Sequence, residues 1–70
     1  MEDDVFEIAS DTLRRLYECE IFPDRHMLYE QMCTEAERDG KPVLPFLLVL
    51  DRDFWDRVRD SVIPEHASLI

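Results

Sequence analysis

The chain has 70 residues, which is enough for one small domain with little apolar surface to bury. Its 17 acidic residues against 8 basic ones give a formal charge of −9, and this excess opposes the phosphate neutralisation on which most nucleic-acid binding depends. We therefore expect no direct binding to DNA or RNA. The longest apolar run is far shorter than a membrane span of about 20 residues, so we expect a soluble, cytoplasmic protein that does not enter a membrane.

The first predicted helix spans about residues 4–21. Asp4 and Glu7 have the spacing of a capping box, which predicts that the helix begins at Asp4. Asp11 precedes Arg15 by four residues, so these side chains are expected to meet on the solvent face. The apolar residues recur at helical spacing and share one half of the helical wheel: Val5, Phe6, Ile8, Ala9, Leu13, Leu16, Tyr17 and Cys19.

The second predicted helix spans about residues 24–39. Pro23 disfavours helical geometry in the residue before it and suits the first turn of a new helix. Gly40 is the only glycine of the chain and stands where a left-handed residue ends a helix, with Pro42 just beyond as a stop. The apolar stripe of this helix is narrow and consists of Leu28, Tyr29, Met32, Cys33 and Ala36.

The third predicted helix spans about residues 45–63 and begins with Pro45 in its first turn. Its continuous form places seven apolar residues on one face: Leu47, Leu48, Leu50, Phe54, Trp55, Val58 and Val62. Asp51 falls inside that face, where a carboxylate without a partner is costly. The alternative is therefore a break at Leu50 or Asp51, with Asp51 as the N-cap of a helix that begins at Arg52. The continuous helix is the favoured interpretation.

These elements predict an all-α protein, a small three-helix domain over residues 1–70. A strand over residues 43–50 is disfavoured because two prolines lie in its first half and no second strand is available to pair with it. Pro64 is expected to end the third helix, which leaves residues 64–70 as a short C-terminal tail.

Side chains able to bind a metal are few. Cys19, His26 and Cys33 are spaced seven residues apart, and His66 could complete four zinc ligands. Structural zinc sites usually bring in two ligands from one tight turn, and no such spacing occurs here. The hydroxyl residues lie in no catalytic motif, and no glycine-rich phosphate loop is present. We therefore expect no metal, no cofactor and no enzymatic activity.

The five successive apolar residues 46–50 exceed what one side of a three-helix core can cover. On a continuous helix Phe46 and Val49 point away from Leu47 and Phe54, so they would require a second cover. This excess predicts a protein-binding surface, formed by Phe46, Leu48, Val49, Leu50 and Trp55.

Two functions follow as hypotheses. The first is a non-enzymatic, acidic, helical protein–protein interaction module, a homodimer that binds or blocks a macromolecular partner with a basic surface. The alternative is a transcriptional or DNA-associated regulator whose second and third helices resemble a helix-turn-helix pair, with Arg52, Arg57 and Arg59 reaching phosphates. Aspartates among those arginines, and the apolar start of the third helix, favour the first hypothesis.

Overall fold

The computed structural model describes residues 2–62, and all its regular elements are helical. The predicted all-α fold is confirmed. The elements are α1 (Glu2–Glu18), α2 (Arg25–Arg38), a 3₁₀ helix (Leu44–Leu50) and α3 (Arg52–Val62). Four helical elements therefore replace the three that were predicted, because the third one is divided. Ile63 and the predicted tail 64–70 lie outside the described residues.

The start of α1 differs from the prediction. The helix already includes Glu2, so Asp4 lies in its first turn and is not an N-cap. This turn carries three carboxylates, including that of Asp3, and their negative charges stabilise the helix at the positive end of its dipole. The apolar face itself is confirmed in its centre, where Val5, Ala9 and Leu13 are buried, whereas Ile8 and Cys19 at its margins are exposed.

The C-terminal end of α2 is the one that the sequence predicted, whereas at the other end Pro23 precedes the N-cap Asp24 and does not lie in the first turn as expected. The Asp24 carboxylate accepts a hydrogen bond from the backbone N–H of Met27 at 2.9 Å and caps the first turn. At the other end Gly40 has a φ of +73°, the left-handed conformation expected after a helix. Leu28, Met32 and Ala36 carry the buried stripe.

Asp51 divides the predicted third helix. Its backbone is extended, with φ −69° and ψ 129°, so helical geometry stops there. Its Oδ1 accepts hydrogen bonds from the backbone N–H groups of Asp53, at 2.9 Å, and Phe54, at 3.2 Å. The continuous helix is therefore wrong and the N-cap alternative is correct. Since Asp51 is exposed, its carboxylate avoids the cost of burial that the continuous helix would have imposed.

The core lies where α1, α2, the 3₁₀ helix and α3 meet. Its buried apolar side chains are Val5, Ala9, Leu13, Leu28, Met32, Ala36, Phe46, Val49, Phe54, Trp55 and Val58. The rings of Phe6 and Phe54 meet edge to face, with centroids 5.9 Å apart, and join α1 to α3. All four elements therefore contribute to one core.

An ion pair joins α1 to α2 at the edge of this core. Arg15 donates to the Glu35 carboxylate at 2.8 Å, whereas Asp11 pairs with Arg14, so the predicted pair between Asp11 and Arg15 is wrong. The hydrogen bond from Arg15 is the main cause of a lowered pKa at Glu35, and a second bond from Gln31 at 2.8 Å also lowers it. The Glu35 carboxylate is thus stabilised in its charged form.

The Asp51 cap makes a first prediction. Asp51→Ala removes the acceptor for two backbone N–H groups, so the free energy of unfolding should fall by about 1 kcal/mol. Asp51→Asn keeps a good N-cap and should stay close to wild type. Urea unfolding of the three proteins measures both differences, and an equal loss in the two variants would contradict the capping role.

The Glu35 pair makes a second prediction. Because the pKa of Glu35 is lowered in the folded state, its contribution is present above the ordinary carboxyl pKa and is lost as the pH falls through the folded value. Glu35→Gln should therefore lower the free energy of unfolding by roughly 1 kcal/mol at pH 7, with the difference shrinking below about pH 4. Glu37→Gln, at an exposed position of the same helix, is the control. A Glu35→Gln deficit that is independent of pH would contradict the ion pair.

Candidate functional site

Three exposed leucines of the 3₁₀ helix form an apolar surface that lines a concavity. The exposed fractions of Leu44, Leu47 and Leu48 are 73%, 47% and 38%. Together with Pro45 and with Val5 of α1 they line a concavity of about 590 Å³, which we call the leucine groove. An exposed apolar surface of this kind typically marks a site of contact with another molecule.

The leucine groove continues along the first turns of α1. An adjoining concavity of about 190 Å³ shares Val5 and Pro45 with it and adds Ile8 and Pro42 to the lining. Ile8 is 40% exposed, so its side chain extends the apolar surface beyond the 3₁₀ helix. The result is an elongated depression between the N-terminal half of α1 and the segment 42–48.

The geometry of the 3₁₀ helix explains why the leucines face outward. Such a helix has three residues per turn, so residues three apart lie on the same side. Phe46 and Val49 share the side that faces the core, and both are buried. Leu44 and Leu47 share another side, which is left to solvent. The local conformation therefore divides one apolar run into a core side and an exposed side.

Carboxylates surround the leucine groove. Glu2 and Asp51 line the main concavity, and Asp4 lines the adjoining one. The Glu2 carboxylate accepts a hydrogen bond from the Arg57 guanidinium at 3.1 Å and forms an ion pair with it, and both side chains remain more than half exposed. Lys41 lines the adjoining concavity and brings one positive charge. The rim is nonetheless mainly acidic, in keeping with the formal charge of −9.

The predicted binding residues are not all at this surface. Phe46, Val49 and Trp55 are 5%, 0% and 9% exposed and belong to the core. The expectation that Phe46 and Val49 point away from the core is therefore wrong, because the break at Asp51 frees the 3₁₀ helix from the register of α3. Leu50 is half-buried, and Leu48 alone of the five is exposed.

The sequence-based prediction did not identify Leu44 and Leu47 as surface residues. Sequence reasoning placed Leu47 on the core face of a continuous helix, and it began that helix at Pro45, after Leu44. A signal was present, because Phe46 and Val49 repeat at an interval of three directly after Pro45. The same interval also fits an α-helix, so the spacing alone did not distinguish the two conformations.

A second exposed apolar set lies at the connection between α1 and α2. It consists of Ile21, Phe22 and Met27, and the Phe22 ring packs against Tyr17 at a centroid distance of 5.3 Å. None of these residues lines the leucine groove. This set therefore offers control positions of similar chemistry.

Residues with metal-binding chemistry are not gathered into a site within residues 2–62. No group of three or more histidine, cysteine, aspartate or glutamate side chains there could hold a metal ion. Cys19 and Cys33 are both free thiols, so they form no disulfide with each other. His66, the fourth residue of the zinc pattern, lies outside the described part of the chain.

Comparison with known proteins found no matching family model, no matching curated protein and no matching solved structure. No helix within residues 2–62 is both long enough and apolar enough to cross a membrane. A function for this chain therefore has to be argued from the leucine groove and its surroundings.

Proposed function

We propose that this chain is a non-enzymatic protein-binding module whose leucine groove receives the apolar face of an amphipathic helix with basic flanks. The observation that carries this proposal is the exposure of Leu44, Leu47 and Leu48, which lie away from the core side of the 3₁₀ helix and inside a mainly acidic rim. Amphipathic helices commonly bind by laying an apolar stripe into such a groove.

Charge complementarity supports a basic partner. The carboxylates of Glu2, Asp4 and Asp51 stand beside the groove, where lysines or arginines flanking an apolar stripe would meet them. The net charge of −9 would also attract a basic partner from a distance and raise the association rate at low salt. Affinity would come mainly from burial of the leucines, and the carboxylates would select the partner.

A second copy of this chain fits the groove less well. A two-fold dimer through this surface would place the same acidic rim opposite itself, with a charge of −9 on each subunit. The homodimer predicted from the sequence remains a prediction, and the experiment below distinguishes it from a basic partner. A cytoplasmic location likewise remains a prediction.

Binding of this kind would act by occupying a segment of the partner. An amphipathic basic helix held in the groove has its apolar stripe and its cations engaged together, so neither is available to a competing surface. This is how a small module without catalytic groups could block or hold a macromolecular partner.

The DNA-binding alternative has less support. A helix-turn-helix pair is joined by a short turn, whereas the 3₁₀ helix separates Arg38, at the end of α2, from Arg52, at the start of α3. Exposed Asp53 and Asp60 on α3 would repel a phosphate backbone.

The proposal is tested with two synthetic helical peptides that share one leucine stripe at positions i, i+3, i+4 and i+7. One carries lysine flanks and the other carries glutamate flanks. We expect the lysine peptide alone to bind in calorimetry, and to shift amide signals of residues 2–8 and 42–51 in ¹H–¹⁵N spectra. Leu47→Glu should weaken its binding by at least about tenfold, since it places a charge in the apolar contact.

Met27→Glu is the matched control, because Met27 is exposed to a similar extent but does not line the groove. It should leave peptide affinity unchanged. Equal binding of both peptides, or no binding of either, would contradict the proposal. Sedimentation equilibrium gives a further check: a dimer that Leu47→Glu dissociates and Met27→Glu does not would replace the basic partner with a second copy of this chain.

A further inference from the structure

Three of the chain's eight basic residues converge on a concavity that is separate from the leucine groove. Arg25, Arg52 and Arg59 line a depression of about 340 Å³ between the start of α2 and one face of α3, which we call the arginine pocket. It shares no lining residue with either concavity of the leucine groove. Three arginines at one concavity form a local positive cluster in a chain whose net charge is −9.

The fold brings these arginines together from two elements. On α3, Arg52 and Arg59 are seven residues apart, which places them two turns apart on one face. Trp55 lies between them on the same face and is mostly buried, so its indole contributes an apolar part of the lining. Arg25 and His26 come from the first turn of α2, where the positive end of the helix dipole adds to the charge of Arg25.

Two carboxylates also line the pocket, and each accepts a hydrogen bond. Asp24 accepts the capping hydrogen bond from the backbone N–H of Met27 at 2.9 Å, and Asp56 accepts one from Arg59 at 3.3 Å. Within residues 2–62, neither Arg25 nor Arg52 takes part in an ion pair. Arg25 and Arg52 therefore form no ion pair in the described part of the chain, and together with Arg59 they outnumber the two aspartates of the lining.

We propose that the arginine pocket binds a phosphoryl group. A phosphate monoester carries a charge of about −1.5 to −2 at neutral pH. The lining has three arginines and two aspartates, so its formal charge is positive and favours an anion. Each guanidinium offers donors in a planar fork that can hold two oxygens of one phosphate, and His26 adds a further ring nitrogen. A carboxylate has two oxygens and can pair fully with one such fork, whereas a phosphoryl group has enough oxygens to pair with both Arg25 and Arg52. The pocket is thus better suited to a phosphoryl group than to a carboxylate.

Titration with inorganic phosphate tests this site. At constant ionic strength maintained with sodium chloride, phosphate should give saturable shifts of the Arg25 and Arg52 backbone amides and of the Trp55 indole signal in ¹H–¹⁵N spectra. Acetate should bind more weakly. Arg25→Gln and Arg52→Gln should each weaken phosphate binding by about tenfold, the effect of losing one charge-assisted contact.

Arg38→Gln is the matched control, because Arg38 is exposed on α2 and does not line the pocket. Arg52→Lys keeps the charge but loses the fork, and it should fall between wild type and Arg52→Gln. Tighter binding of AMP than of inorganic phosphate would assign a nucleotide as the source of the phosphoryl group, and tighter binding of N-acetyl-phosphoserine a modified side chain. No saturable shift, or equal binding of acetate and phosphate, would overturn the proposal.

Discussion

The hydrogen bonds that the Asp51 carboxylate accepts from the first turn of α3 determine how the C-terminal half of the chain is arranged. They begin a new helix at Arg52, and the extended backbone of Asp51 separates that helix from the apolar run before it. The run can then form a 3₁₀ helix whose orientation is independent of α3. Without this separation, a continuous helix would direct Leu47 and Leu48 toward the same side as Phe54. The leucine groove exists because the two segments are uncoupled.

Limited core volume gives the second constraint. A chain of 70 residues buries a smaller fraction of its surface than a larger domain, and here the inner side of the 3₁₀ helix already supplies Phe46 and Val49 to the core. The outer side has no further element of residues 2–62 to cover it. Exposed leucines on a free chain favour association, and the high negative charge opposes non-specific contacts of that kind. Under the proposed function, a partner with cations beside its apolar stripe overcomes that opposition.

Sequence reasoning predicted the elements better than it predicted their surfaces. The amphipathic spacing of α1 and α2, the turn at Gly40 and the stop before Pro23 depend on local chemistry, and each was placed within a few residues. The choice at Asp51 was different, because an acidic residue inside an apolar pattern fits both a strained continuous helix and a cap. The continuous helix gave residues 46–50 the wrong orientation. Phe46 and Val49 were therefore assigned to the surface and Leu47 to the core.

The ion pair between Arg15 and Glu35 was beyond sequence reasoning for a different reason. It joins residues on two helices, and helical spacing can predict only pairs within one helix. The arginine pocket was missed for the same reason, since only the tertiary fold brings Arg25 of α2 and Arg52 of α3 to one pocket. Both sites depend on tertiary arrangement, whereas the periodicity of a single element carries no such information.

The division of the apolar run into an inner and an outer side can be measured directly through its methyl groups. In protein labelled with ¹³C at leucine and valine methyls, a soluble paramagnetic gadolinium complex broadens the signals of solvent-exposed groups. We expect strong broadening for Leu44, Leu47 and Leu48 and protection for Val49, in line with their exposed fractions. Protection of Leu47 and Leu48 together with broadening of Val49 would contradict the 3₁₀ geometry and, with it, the leucine groove.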